Sequence, residues 1–207
     1  DDPTFAYSAG TYCVTGSDPT PIITGTFGGT FTSTPAGLDL DPSNGFIDIS
    51  TSTANTYDVT YTTNGACPAS TNAAINITTS PDATFSYTGT PYCENGGTAG
   101  LTYGAGAGGG VFTTSSPLLS INAGTGDIDL NTSTPGTYTV DNDIAASGGC
   151  AASNASTSVT IDPAEDATYT FNSTAECQGG TDITATITGT GGGAFSALPA
   201  GLSLNVV

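Results

Sequence analysis

Cys13, Cys67, Cys93, Cys150 and Cys177 carry the clearest chemistry in this chain. They stand apart from one another, none belongs to a Cys-x-x-Cys pair and no histidine accompanies them, so disulfide formation fits them better than metal chelation. Cys13, Cys93 and Cys177 follow at intervals of 80 and 84 residues, and Cys67 and Cys150 recur late in these two intervals. One early and one late cysteine per unit predict the bridges Cys13–Cys67 and Cys93–Cys150. Each would close a loop of about 55 residues and restrict the unfolded chain by roughly 4 kcal/mol in the loop-entropy treatment. Cys177 is left unpaired, and the same logic places its partner beyond Val207, as in a truncated unit.

Asp39, Asp41, Asn44 and Asp48 gather oxygen donors near one turn, the ligand type that calcium prefers, and form a candidate weak calcium site. The residues in register with them, Ser120, Asn122, Thr125 and Asp129, carry less charge, so a solvated turn is the preferred reading. Asp162, Glu165 and Asp166 form a second acidic group at a junction, but Ser80-Pro81-Asp82 does not repeat it. No other cofactor is expected.

The chain has 207 residues, a formal net charge of −18 and no Lys, Arg, His, Met or Trp. Ser-His couples, Schiff-base lysines, imidazole ligands and guanidinium clamps for phosphate are thereby absent. Nucleic acid and anionic membrane surfaces repel such a surface, so neither is an expected partner. No apolar run approaches the roughly 18 residues of a membrane helix, and membrane insertion is not expected. No secretory leader opens the sequence, so a signal for export would lie upstream. The glycine-rich run from Gly104 to Gly110 has no following Lys and reads as a hairpin or bulge, not a phosphate cradle. Glu94, Glu165 and Glu176 show no arrangement that repeats or converges, and the chain reads as non-enzymatic.

The elements that must position these residues repeat. Asp2-Pro3-Thr4-Phe5, Asp82-Ala83-Thr84-Phe85 and Asp166-Ala167-Thr168-Tyr169 share one pattern, and the stretch Pro35 to Tyr61 returns as Pro117 to Val140 and begins again at Pro199. Boundaries near Ser80-Pro81 and Asp162-Pro163 divide the chain into repeats at 1–80, 81–163 and 164–207, the last an N-terminal half. Proline stops a strand and stiffens a short junction, which implies neighbouring modules in end-to-end contact. Within a unit, Tyr57, Val59 and Tyr61 alternate with Thr56, Asp58 and Thr60, the period of a half-buried strand. Ser43-Asn44-Gly45 and Gly124-Thr125-Gly126 sit between alternating runs, where Asn and Gly most easily build a turn with positive φ. No stretch keeps a helical period. Units of about 80 residues with roughly seven short strands predict an all-β chain of tandem Ig-like antiparallel β-sandwich repeats.

Pro35-Ala36-Gly37-Leu38-Asp39-Leu40, Asn44-Gly45-Phe46-Ile47 and Thr56-Tyr57-Asp58-Val59 together resemble the Ig-like, cadherin-like repeats of large bacterial surface proteins. The second unit matches at Leu119-Ser120-Ile121, Thr125-Gly126-Asp127-Ile128 and Pro135-Gly136-Thr137-Tyr138. With the flanking cysteines, the chain looks most like the tandem repeats of giant Bacteroidetes adhesins, the SprB-like gliding class. The resemblance implies an extracellular, structural or adhesive segment of a stalk or filament at a bacterial cell surface. Its implied partners are neighbouring repeats, further copies in a fibre, and a surface glycan or protein receptor. The alternative is a carbohydrate-binding or spacer module of a secreted enzyme, with Tyr and Phe faces meeting the sugar.

Overall fold

The computed structural model describes residues 1–198 and 202–204, and Pro199, where the repeated stretch begins for the third time, lies outside them. Among the described residues every regular element is a β-strand. The strand Asn55–Thr62 shows why: Tyr57, Val59 and Tyr61 are fully buried, while Asn55, Thr56 and Asp58 face solvent. Aromatic and β-branched side chains fit such a half-buried pleated surface, and their stiff χ1 disfavours the helical alternative. The strand Gly136–Ile144 repeats the arrangement with Tyr138, Val140 and Asn142 turned inward.

One four-stranded sheet runs, edge to edge, Thr11–Cys13, Ser70–Thr78, Asn55–Thr62 and Thr30–Thr34. The second runs Tyr92–Cys93, Ser153–Asp162, Gly136–Ile144 and Val111–Thr114, the same order built from the next repeat. Shorter antiparallel pairs oppose each sheet. They join Phe5–Ala6 to Ile22–Ile23 and Asp39–Leu40 to Ile47–Asp48, then Phe85–Ser86 to Thr102–Tyr103 and Thr98–Ala99 to Ile128–Asp129. The fold is all-β, with tandem Ig-like sandwiches. To the expected antiparallel pairings it adds one parallel pairing in each large sheet, Thr11–Cys13 with Ser70–Thr78 and Tyr92–Cys93 with Ser153–Asp162. The chain leaves the small sheet after Phe5–Ala6 or Phe85–Ser86 and crosses to the edge of the large one, where it runs alongside the last strand.

Each sandwich has its own core. Phe5, Phe31, Ile47, Ile49, Tyr57, Val59, Tyr61, Ile75 and Ile77 form one cluster. Phe85, Phe112, Ile128, Leu130, Tyr138, Val140, Val159 and Ile161 lead the other. Full burial of each such large apolar side chain favours folding by about 1.5–3 kcal/mol before conformational entropy is subtracted. Tyr57 donates its hydroxyl to the Thr53 carbonyl at 2.6 Å, and Tyr138 to that of Thr134 at 2.8 Å. These are tyrosine corners, which fix the entry to a central strand of an Ig-like sandwich by bonding back to upstream backbone.

After Asp162 the chain forms the antiparallel pair Tyr169–Phe171 and Ala185–Ile187, whose residues are all exposed. Tyr169 meets Phe171 and Phe195 edge to face, with ring centroids 5.4 and 5.1 Å apart.

Candidate functional site at the junction of two repeats

Cys13 lies at the end of its edge strand, in register with Thr78 at the end of Ser70–Thr78. Facing it is a hairpin loop of the next repeat, Ser147-Gly148-Gly149-Cys150, between the strands Gly136–Ile144 and Ser153–Asp162. Ser147 and Cys150 exchange backbone hydrogen bonds at 3.2 and 2.8 Å, and Gly148 and Gly149 have φ of 56° and 77°. Two successive positive φ values are the geometry of a tight hairpin turn, and glycine adopts them without a Cβ penalty. Thr78 Oγ1 donates to the Gly148 carbonyl at 2.5 Å. A Cβ on Gly149 would lie 3.1 Å from the Thr11 carbonyl oxygen, so the loop sits close against the edge strand. Cys13 and Cys150 are bonded at S–S 2.02 Å, and the two residues are 2% and 5% exposed.

This bond corrects the expected Cys13–Cys67 and Cys93–Cys150 bridges: Cys13 pairs with Cys150, while Cys67, Cys93 and Cys177 are exposed free thiols. The reason is geometric. Cys13 is level with Thr78, whereas Cys67 precedes Ser70 at the other end of the same strand. At about 3.3 Å per residue the strand alone separates them by about 26 Å. A disulfide needs Cα atoms within about 7 Å. Cys93, level with Asp162, and Cys150, before Ser153, stand in the same relation. The bridge therefore joins repeats where the expectation had closed each one.

The candidate calcium residues keep their oxygens for local bonds. Asp41 Oδ1 accepts from the Ser43 backbone at 2.8 Å and hydroxyl at 2.7 Å, and Oδ2 accepts from Asn44 Nδ2 at 2.9 Å. Asn44 Oδ1 accepts from the Phe46 N–H at 2.7 Å. Asp48 accepts from the Ser50 backbone and hydroxyl at 3.0 and 2.7 Å, and Asp39 from the Thr51 hydroxyl at 2.7 Å. Hydrogen bonds from Ser43 hold the Asp41 carboxyl below the usual aspartate range, and those from Ser50 and Thr51 do so for Asp48. Among the described residues no three of Cys, Asp or Glu converge where a metal ion could be held, and this includes the acidic group at Asp162, Glu165 and Asp166.

Two paired polar positions in the interior escaped the sequence reading. Ser52 and Ser133 are buried, each donating its hydroxyl to the carbonyl four residues upstream, Asp48 at 2.6 Å and Asp129 at 2.7 Å. Each also accepts a backbone N–H from across the turn, Asp39 or Ser120, at 2.9 Å. Their shared place in the repeat, 81 residues apart, was the available signal. Among the described residues no buried side-chain polar atom lacks a partner.

No protein-family model matches the chain, and no curated protein sequence matches it. Among solved structures, mouse cadherin-23 EC22-24 is 16% identical with a TM-score of 0.37, covering 92% of this chain and 80% of that one. Human CDH23 EC21-23 is 13% identical with a TM-score of 0.43, covering 79% of this chain and 74% of that one. A protocadherin gammaB7 EC3-6 cis-dimer structure is 14% identical with a TM-score of 0.42, and this chain, matched over 90%, spans 56% of it. With identities and TM-scores this low, neither binding nor partners carry over.

Proposed function

We propose that the chain is a non-catalytic structural and adhesive segment of an extracellular stalk or filament at a bacterial cell surface, built of repeats at 1–80, 81–163 and 164–207. The observation that carries this reading is the buried Cys13–Cys150 bond, which clamps the hairpin loop of one repeat to the end of the one before it. A permanent bond between sandwiches with separate cores is of use to a protein that must hold its length, and structural disulfides persist in oxidising compartments outside the cell. The charge of −18, with no side-chain cation to offset it, keeps neighbouring rods apart and soluble. The proposed contacts are with neighbouring repeats and further copies, and with a surface glycan or protein receptor.

Small-angle X-ray scattering and electron microscopy of the oxidised chain test the reading. Extended particles with a fixed angle between successive repeats are expected. A compact globule would overturn it. A glycan array giving saturable binding would select the alternative, a carbohydrate-binding module.

A further inference from the structure

Cys13 and Cys93 occupy the same place in successive repeats. Each ends an edge strand paired in parallel with the last strand of its sheet, Cys13 level with Thr78 and Cys93 with Asp162. The following N–H, of Val14 or Glu94, donates to the carbonyl of that same residue, at 3.0 and 2.8 Å. Both cysteines open a Cys-x-x-Gly turn in which the glycine N–H returns to the cysteine carbonyl, Gly16 to Cys13 at 2.8 Å and Gly96 to Cys93 at 3.1 Å. Cys177 opens a third such turn, with Gly180 donating at 2.9 Å. The difference is the cover: Cys13 lies beneath the bonded loop, while Cys93 and Cys177 are exposed thiols.

The other half of the bond repeats too. Cys67, like Cys150, lies in the hairpin loop three residues before the last strand of its sheet, at Ser70 or Ser153. Cys150 is buried on its partner, and Cys67 is exposed. The chain thus contains one completed bond between a turn and a loop, two further turns and one further loop.

We propose that Cys13–Cys150 is one rung of a directional ladder, in which a turn cysteine bonds the loop cysteine of the repeat placed after it, and that Cys67 is a loop end open to the turn cysteine of a preceding repeat, a place that Cys177 or Cys93 of a second copy of this chain can fill. The inference rests on the tandem-repeat reading above, but its test reads bond connectivity, so it can fail while the stalk reading stands. The chemistry is thiol–disulfide exchange with a small disulfide such as glutathione disulfide. One protein thiolate attacks it, releasing a glutathione thiolate and leaving a mixed disulfide. The second protein thiolate then displaces the remaining glutathione. Two protein thiols are oxidised, one glutathione disulfide is reduced to two thiols, and the protons follow the departing thiolates.

The purified chain, with its Cys13–Cys150 bond intact, is incubated at high concentration in a glutathione redox buffer, then separated without reductant and mapped by mass spectrometry. The expected result is a series of disulfide-linked multimers whose joining peptides are Cys67–Cys93 or Cys67–Cys177, exceeding all Cys67–Cys67, Cys93–Cys93, Cys177–Cys177 and Cys93–Cys177 links together. Cys67→Ser abolishes the series, and Cys93→Ser leaves it running through Cys177. Like-with-like links at comparable yield, or multimers undiminished in Cys67→Ser, would overturn the ladder. Because Cys67 is exposed, that variant leaves the cores untouched.

Discussion

Tyr61 and Asn142 stand 81 residues apart at one position of the repeat and meet the same need with different groups. Each lies on a central strand and is fully buried. The Tyr61 hydroxyl accepts the Gly29 N–H at 2.9 Å and donates to the Thr26 carbonyl at 2.7 Å. Asn142 Oδ1 accepts the Gly110 N–H at 2.7 Å, and its Nδ2 donates to the carbonyls of Ala83 and Gly108 at 2.9 and 3.0 Å. In both repeats a polar tip satisfies the loop that leads into the edge strand beside Phe31 or Phe112.

Replacing Asn142 by Leu keeps the bulk and removes the three bonds, stranding backbone groups at a buried site. A loss of about 2–4 kcal/mol is expected, since the buried Ala83 carbonyl left without a partner costs about 1–3 kcal/mol and the part-buried Gly108 and Gly110 groups, which water can reach, add less. Tyr61→Phe, which strands fewer groups, is expected to cost less. Urea unfolding of the two variants measures the order, and equal stability of Asn142→Leu and the parent would refute this account.

Gly45 and Gly126 close equivalent turns with φ of 73° and 74°, and an added Cβ would lie 2.9 Å from the Phe31 ring or 3.0 Å from that of Phe112. Their carbonyls accept the hydroxyls of Tyr7 and Tyr87, phenols whose pKa burial pushes well above the ordinary value. Gly126→Ala therefore combines backbone strain with a clash and is expected to lose about 2–4 kcal/mol. Gly106→Ala, at φ 83° in open space, carries the strain alone and is expected to lose about 1 kcal/mol. Thermal melts of the pair separate the two contributions.

Acid is expected to weaken the turns through three aspartates. Ser43 hydrogen bonds hold Asp41 low, those of Ser50 and Thr51 hold Asp48 low, and the Asn131 backbone N–H with the Thr132 hydroxyl holds Asp129 low. A carboxyl depressed on folding contributes stability that is complete above its unfolded value, about 3.9, and is lost as pH falls through the lower folded value. Declining net charge acts in the opposite direction on the whole chain, so the useful quantity is a difference. Ser43→Ala should be less stable than the parent near neutral pH, with the gap narrowing below about pH 3.9. A gap that stays constant on acidification would show that Asp41 is not responsible.

Cys150→Ser is expected to leave both sandwiches folded, because their cores are separate. The junction should loosen. Fluorescence energy transfer between dyes on the two repeats should broaden in the variant and in the reduced parent alike. Removing a closed loop of this length also releases about 5 kcal/mol of restraint on the unfolded chain in the loop-entropy treatment. An unchanged distance distribution would mean that the hydrogen bonds of Thr78 and the glycine loop suffice to hold the joint.

The strands were legible because alternation reports directly on burial: Tyr57, Val59 and Tyr61 point inward as their spacing predicts. The turn at Gly45 was legible because only certain residues tolerate its backbone. The disulfide was not. Recurrence at a fixed interval gives the phase of Cys13 and Cys150 within a repeat, but says nothing of which copy supplies the partner. The strand register decides it, since Cys13 and Cys67 fall at opposite ends of Ser70–Thr78. The polar interior was hidden for a related reason: alternation puts Asn142 on the inward face with Tyr138 and Val140, but does not show the glycine N–H and two carbonyls that it bonds there.

The bond between residues 13 and 150 also sets how the chain answers a pull. Tension entering near Asp1 and leaving beyond Asp162 passes from Cys13 to Cys150 through sulfur, bypassing the peptide between them, which spans a sequence separation of 137. Fully drawn out, that bypassed segment would measure about 450–490 Å at 3.3–3.6 Å per residue. While the bridge is oxidised this slack stays locked, and the strands inside it bear little strain. Reduction would release it, turning a short stiff tether into a long extensible one.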